Sequence, residues 1–599
     1  MTIIKTLLVS LLAICFMETV RSQQKTFTVD FSATLERIKD LGGVNSGPDV
    51  LPAKGETYGG TAVKGYKDGG VSLIRTTHDV SGLQYFEYAN TFWKDGKINP
   101  SYDPTLESSY RWTTADQKID SIVLPGFTPY FRIGIGYDAA HGIYSAAPKD
   151  PDGINFTKFA EVSKRTVMHF NKDWPTGKGK SLGIKYWEVW NEPDGGFWRD
   201  SVNASASKPG DSVAFARMYK AVYDSMKSVD STIKVGGPGV LSGSILTKRE
   251  WIKTFLDECN KNSAKLDFFS WHLYGALNPY AIAIQGEYVR SLLHSYGFDS
   301  TESHVSELNI RLGAVDAISP KPLMNTPKHG AFTASSMISV QLGKIDKLLY
   351  FRGTSFMNLF GKDTLDAANP TLSGQGFKAF TELTRFAPQR IAADTSEFIS
   401  SEASSQIDTT NIMILAGRSD DQKSCYVLIS NYNSNYTTCT LRINNLPWDL
   451  VGGIQLKQTS MNSSGTMSET TSSIQAGASI TTSISNFAAP AFTLLRFTYH
   501  ESTEINDNKS RLSMYSLKQN YPNPFNPITT IDFAIPEETR VTLTIYNQLG
   551  EKVVVLVNEE FNAGEHAVKW NAENIASGIY FCELKTERFT TVNKLLLLK

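Results

Sequence analysis

"IKYWEVWNEP" (residues 184–193) runs apolar and aromatic for most of its length and ends in Asn191-Glu192-Pro193, an amide and a carboxylate pushed into a turn. A strand covered on both faces reads as a near-continuous apolar run, as this one does, and such strands belong to parallel sheets flanked by helices. The neighbouring sequence supplies companions of the same kind: "VSLIRTTHD" (71–79), "TPYFRIGIG" (128–136), "IKVGGPG" (233–239), "LDFFSWHLYG" (266–275), "SHVSELNI" (303–310) and "DKLLYFRG" (346–353). Between them lie amphipathic stretches at helical period, such as 156–170, 212–229 and 280–297. "RIKDLGGVN" (37–45) completes a set of eight strands, and eight βα units over about 350 residues predict an α/β fold, a (β/α)8 TIM barrel with long βα loops. A doubly wound sheet is the runner-up, but no G-x-G-x-x-G turn follows any of these strands.

A parallel barrel gathers its functional groups at the C-terminal ends of its strands. The polar residues there are Asn45 on the first strand, Arg75, His78 and Asp79 on the second, and Asn191 and Glu192 on the fourth. The sixth contributes His272 and Tyr274, the seventh Glu307 and Asn309, and the eighth Arg352. Two glutamates with amides and histidines, and no cysteine, point to acid/base chemistry on a hydroxyl-rich substrate. No metal-ligating set and no cofactor motif accompanies them. Ordinary structural roles stand beside each reading: an Asn-Glu pair also caps a following helix, Arg75 also pairs with Asp79, and His78 and His272 also serve as satisfied barrel histidines.

Lys+Arg (59) and Asp+Glu (60) nearly cancel, which excludes the basic footprint of a nucleic-acid or anionic-membrane binder. "LLVSLLAICF" (7–16) follows Lys5 and is too short to span a bilayer, so residues 1–22 read as a secretory signal peptide with Ser22 closing the cleavage site. No later stretch is long and apolar enough to cross a membrane. The barrel is assigned to residues 23–392. Residues 393–500 turn rich in Ser, Thr and Asn with short alternating runs, a β-sandwich pattern to which "QKTFTVDF" (24–31) adds a strand. Residues 501–515 form a polar linker, and 516–599 a small all-β block. Cys425 and Cys439 flank two strand-like runs around an Asn-rich turn, where they could face each other across a hairpin as a disulfide, a pairing the sequence leaves open; Cys259 and Cys582 look unpaired.

"WEVWNEPD" on the fourth strand together with "VSELN" on the seventh resembles clan A of the retaining glycoside hydrolases. "IRTTHD", "FARMYKAVYDSMKSVDSTIKVGGPG" and "DFFSWHLYG" are similar to elements of glycoside hydrolase family 39, the β-xylosidase and α-L-iduronidase family, over most of residues 40–390. The resemblance implies a retaining glycosidase in which Glu192 is the acid/base and Glu307 the nucleophile. It also implies that Arg75 and Tyr274 donate to Glu307 and that Asn191 binds the sugar's 2-hydroxyl, with His78, His272 and Arg352 lining the sugar site. The acid needs partly apolar surroundings, for which Trp187, Trp190 and Phe197 are the nearby sources. Many clan members place a tryptophan at the end of strand eight, where this chain has "YFRGTSFMNLF" (350–360); Phe351 or Arg352 takes its place, and an arginine there suits an acidic sugar or a buried ion pair. The insert at 85–112 reshapes the cleft, so the sugar stays open: a glucosidase, arabinosidase or endo-polysaccharidase, or a non-catalytic surface glycan-binding protein, are the competing readings. "NYPNPFNPITT" (520–530) and "SGIY" (577–580) resemble the C-terminal sorting domain of the bacterial type IX secretion system, which implies passage through that machinery to the cell surface or the medium.

Overall fold

The computed structural model describes residues 23–48, 59–76, 93–94, 97–98, 101–110, 112–134, 154–195, 209–241, 245, 249–274, 278–310, 325–354, 357–361, 368–393, 412–446, 448, 453–475, 479–500 and 515–598. They fall into two compact units, divided between Ser502 and Thr503. The signal-peptide assignment, His78, Asp79 and Phe197 lie outside the described residues, as does part of the 85–112 insert. Among the described residues no helix is long and apolar enough to cross a membrane.

The first unit is built on a closed, all-parallel eight-stranded barrel. Its strands in chain order are Gly43–Asn45, Leu73–Arg75, Thr128–Ile133, Tyr186–Val189, Lys234–Val240, Phe268–Tyr274, Glu302–Asn309 and Lys347–Tyr350. Each matches one of the eight runs singled out in the sequence, and the eighth pairs with the first to close the ring. The period of two explains what fills it. Leu73, Tyr130, Tyr186, Phe268 and Leu349 form their own small cluster inside the ring. One step of two residues further along the same strands stand Arg75, Arg132 and Glu188, all buried. The barrel interior is therefore apolar at its floor and charged at its C-terminal rim. Trp187 and Val189, the alternate residues of strand four, face the helices and join the large outer core. Eight α-helices lie among the described residues of this unit, from Gly59–Asp68 to Leu372–Phe386.

Packed on the barrel is one nine-stranded mixed sheet that curls upon itself. Its order is 467–475, 453–461, 491–500, 424–431, 412–418, 389–393, 23–37, 436–444 and 479–484. All neighbours are antiparallel except Gln23–Arg37, which runs parallel to Tyr436–Asn444. Alternate residues divide the labour: Met413, Leu415, Leu428, Phe492 and Leu494 join the barrel's core, while Ile412, Ile414, Val427, Ile429 and Leu441 meet one another inside the curl. Ser335 on helix Pro327–Leu342 donates to Ser430 Oγ at 2.8 Å, and Arg496 Nε donates to Glu382 at 2.7 Å, so the sheet's contact with the barrel is polar as well as apolar.

The hairpin that would join Cys425 to Cys439 does not form. Cys425 and Cys439 are both buried free thiols. Strand 424–431 pairs with 412–418 and 491–500, whereas 436–444 pairs with 23–37 and 479–484. The turn between them crosses from one half of the curl to the other, and no hairpin forms.

The second unit holds a three-stranded and a four-stranded antiparallel sheet around one core. Phe525 and Tyr580, from the two motif stretches, both pack against Trp570, with centroids 5.2 and 5.7 Å away.

Candidate active site

Arg75 sits at the centre of the barrel's rim with no exposed surface. Its planar fork of donors reaches four acceptors on three strands. Nε donates to Glu188 Oε2 at 2.5 Å, Nη1 to Asn45 Oδ1 at 2.9 Å and Glu307 Oε1 at 2.7 Å, and Nη2 to Asn191 Oδ1 at 2.7 Å. Burial works against its charge, but Glu188 and Glu307 outweigh that and hold the guanidinium more firmly protonated than usual. Asp79 lies outside the described residues, and Arg75's described ion-pair partners are these two glutamates.

Glu307 ends strand seven at 7% exposure and takes a second short hydrogen bond from Tyr274 Oη, at 2.6 Å. Burial alone would raise its pKa; the charges of His272 and Arg75 and the Tyr274 hydroxyl reverse this and hold the carboxyl well below the usual range. The Tyr274 hydroxyl is in turn pushed up, by burial first and then by Glu307. Glu192 is the more open carboxylate, its side chain 20% exposed, and its Oε1 lies 2.8 Å from His272 Nδ1. Burial opposes charge on His272, yet Glu307 and Glu192 together keep its pKa above the ordinary value. One carboxylate oxygen of Glu192, one of Glu307 and a ring nitrogen of His272 all lie within 4.8 Å of one another.

The backbone that delivers Glu192 leaves strand geometry to do so. Trp190 (φ 74°) and Glu192 (φ 53°) adopt the left-handed region, a conformation costing about 1–2 kcal/mol for a residue with a Cβ. The Glu192 amide is tied to Gly239 O at 2.9 Å and its carbonyl accepts from Gly195 N at 3.0 Å. This answers why an apolar strand ends in an amide and a carboxylate: the turn swings both out of the wall and onto the rim.

Other predicted residues take quieter places. Asn45 bridges strands, its Nδ2 donating to Ser306 O and Leu349 O at 2.9 and 3.1 Å. Asn309 braces the eighth-strand turn through Met357 O at 3.2 Å. Arg352 is buried, its Nε donating to Ser46 Oγ at 2.8 Å. Trp187 is turned away from Glu192: its ring packs 4.5 Å from Phe131 and its indole donates to Ile184 O. Trp190 packs edge-on to Phe159 of an outer helix. Neither supplies the apolar surroundings expected for Glu192; its described neighbour is His272.

Glu188 was not among the sequence candidates. The signal was present, a lone carboxylate inside "YWEVW" on the inward phase of the strand, where burial without a cationic partner is prohibitive. Arg132, paired in register with Glu188, adds positive charge near Glu307. Glu192, His272 and Glu307 are also the described group whose donor atoms converge closely enough for a metal ion. Arg75 and Tyr274 already occupy the Glu307 oxygens, and a buried guanidinium repels a second cation, so this set suits proton transfer better than metal ligation.

Residues 79–296 match the Glycosyl hydrolases family 39 model, and residues 519–598 match the Secretion system C-terminal sorting domain. The first stretch holds Asn191, Glu192, His272 and Tyr274; Arg75 and Glu307 lie outside it. A Beta-xylosidase of Geobacillus stearothermophilus is 24% identical over 261 residues, 39% of this chain and 46% of that protein. A Beta-xylosidase of Caldicellulosiruptor saccharolyticus is 33% identical over 205 residues, 34% of this chain and 38% of the relative. The chain thus spans less than half the length of either. A glucosidase from Croceicoccus marinus superposes with a TM-score of 0.58 at 21% identity, covering 80% of this chain and 99% of that one, a likeness of fold. The sorting domain indicates secretion or a place at the cell surface. Residues 79–296 of the barrel region are thus similar to glycosyl hydrolases family 39, and residues 519–598 to the secretion system C-terminal sorting domain.

Proposed function

We propose that the barrel is a retaining glycoside hydrolase acting on oligo- or polysaccharides outside the cell, with Glu307 as nucleophile and Glu192 as acid/base. The observation that carries this reading is the approach of the two carboxylates, with oxygens within 4.8 Å. Double displacement uses carboxyls about 5–5.5 Å apart, whereas the inverting reaction needs about 6.5–9.5 Å to admit a water.

The environments assign the roles. Glu307 is held ionised by Arg75 and Tyr274 and is ready to attack the anomeric carbon. Glu192 shares a hydrogen bond with His272 and faces the cleft, placed to protonate the glycosidic oxygen. In the first step the Glu307 oxygen bonds to the anomeric carbon, the glycosidic C–O bond breaks, and the Glu192 proton leaves with the departing alcohol. In the second, Glu192 takes a proton from water, whose oxygen displaces Glu307 and restores both carboxyl groups. Asn191 Oδ1 is engaged by Arg75, which turns the amide so that its NH2 serves the sugar's 2-hydroxyl. The two curated relatives bear the name Beta-xylosidase, so aryl β-xylosides are the first substrates to assay, followed by glucosides and arabinosides. The sorting domain supports export through the type IX machinery as the route to that substrate.

Glu192→Gln tests the reading. Hydrolysis of an unactivated aryl glycoside should fall by about 10²–10⁴-fold, while a dinitrophenyl glycoside, whose leaving group needs no proton, keeps much of its bond-breaking rate. Equal activity of mutant and wild type on the unactivated substrate would remove Glu192 from the mechanism. A pH profile checks the pair together. The required form of Glu307 is ionised and its pKa is depressed, so activity persists as pH falls through the usual carboxylate range. The required proton is shared with His272, whose pKa is raised, so the basic limb should lie above about pH 6.5. A basic limb below about pH 5 would contradict this assignment.

A further inference from the structure

Behind the two working carboxylates lies a buried group that the reaction itself leaves unused. Glu188 has no exposed surface, and while its Oε2 is bound to Arg75, its Oε1 has no hydrogen-bond partner among the described residues. The same is true of His272 Nε2, the ring nitrogen remote from Glu192. Both atoms lie beside Gly239. A Cβ placed on Gly239 would stand 3.3 Å from Glu188 Oε1, 3.3 Å from His272 Nε2 and 3.7 Å from Arg75 Nη2. Gly239 has φ +62°, a conformation that favours glycine, and its carbonyl holds the Glu192 amide. Three buried polar atoms, an acceptor, an imidazole nitrogen and a guanidinium, thus converge where the chain carries no side chain. A buried water is stable where two to four polar partners surround it, and an unpaired buried carboxylate oxygen is costly without one.

We infer that Gly239 keeps open an ordered-water site between Glu188 Oε1, His272 Nε2 and Arg75 Nη2, through which Glu188 acts as a positioning residue for the acid/base. This inference rests on the hydrolase reading above. The water accepts from His272 Nε2–H and from the second Nη2–H of Arg75, and donates to Glu188 Oε1. That fixes the hydrogen on Nε2 and leaves Nδ1 facing Glu192 Oε1, so one proton is shared along the 2.8 Å bond between them. The charges acting on the imidazole are Glu307 from strand seven, Glu192 beyond strand four and Arg75 from strand two, with Arg132 of strand three acting on Glu307, while Glu188 Oε1 lies beside Gly239 as Nε2 does. Through the water, the Glu188 carboxylate holds the imidazole with Nδ1 turned to Glu192, so that its loss disturbs the shared proton without touching the substrate. In the first chemical step that proton passes to the departing oxygen; in the second the attacking water returns one to the same bond.

Glu188→Gln, made in the full chain, separates this from a merely structural role. At neutral pH it should slow an unactivated phenyl glycoside by about 100-fold and a dinitrophenyl glycoside less than about 5-fold, and move the basic limb down by about one pH unit. Equal loss on both substrates with an unmoved limb overturns the proposal. A high-resolution crystal structure of the wild-type chain gives a second arm that needs no variant. An ordered oxygen within hydrogen-bond distance of all three atoms supports the site, and its absence among otherwise ordered buried waters overturns it. Should the wild type hydrolyse no aryl or natural glycoside, the hydrolase reading itself fails and the crystallographic arm alone decides the water site.

Discussion

Glu307→Gln is expected to abolish turnover of every glycoside the chain cleaves, by about 10⁴-fold or more and irrespective of leaving group. The substitution is nearly isosteric, so the loss is chemical. The amide cannot form the glycosyl ester, and it leaves Arg75 and Tyr274 aimed at a neutral group. This differs from the leaving-group-dependent loss expected at Glu192. On the wild-type chain, a 2-fluoro glycoside of the accepted sugar should leave one covalent adduct, on the peptide containing Glu307. An adduct on another residue, or residual turnover near wild type in Glu307→Gln, would move the nucleophile elsewhere or favour a glycan-binding barrel without catalysis.

Removing the cation between the carboxylates should instead cost the fold. Arg75→Met leaves Glu188, which has no exposed surface, without its described salt-bridge partner, and takes from nearly buried Glu307 one of the positive charges that hold it ionised. Breaking a buried pair by deleting one partner costs about 3–5 kcal/mol, because the orphaned charge must be neutralised or hydrated. The barrel's thermal transition should drop by several degrees, with activity lost. Arg75→Met combined with Glu188→Gln should regain part of that stability, since the second change removes one of the stranded charges. A double mutant no more stable than the single would show that Arg75 matters for packing rather than for charge.

The barrel was legible because its strands are buried on both faces and write themselves as unbroken apolar runs; "LDFFSWHLYG" and "DKLLYFRG" could scarcely be surface strands. Asn191, Glu192, Arg75, His272, Tyr274 and Glu307 followed, because a parallel barrel presents its strand ends on one rim; there Arg75, Asn191, Glu307 and Tyr274 form one hydrogen-bonded set, and the Glu192–His272 pair lies beside it, 3.6 Å from Glu307. Glu188 escaped because attention to strand ends passes over a charge inside a strand, although the two-residue period already turned it inward. Trp187 and Trp190 were misplaced for a related reason. They are close to Glu192 in sequence, but strand alternation sends Trp187 outward and the left-handed backbone at Trp190 sends its ring to the helix layer. The thiols of Cys425 and Cys439 were paired on linear proximity, whereas sheet order depends on strands hundreds of residues away, which local patterns do not encode.

The placement of Gln23–Arg37 has a consequence for how the molecule is assembled in time. This first described strand lies between 389–393 and 436–444, in the interior of a sheet whose other strands come from the far side of the barrel sequence. During synthesis it has no lateral neighbour until some four hundred residues have been made. Such long-range pairing is intrinsically slow, because the intervening chain must be gathered before any contact rewards it. The barrel strands are all made while that seam is still open, and strands 453–500 of the same sheet are made later still. A chain interrupted before residue 436 would keep its catalytic strands in order of synthesis yet carry an unfastened leading segment with its backbone donors and acceptors bare on one edge.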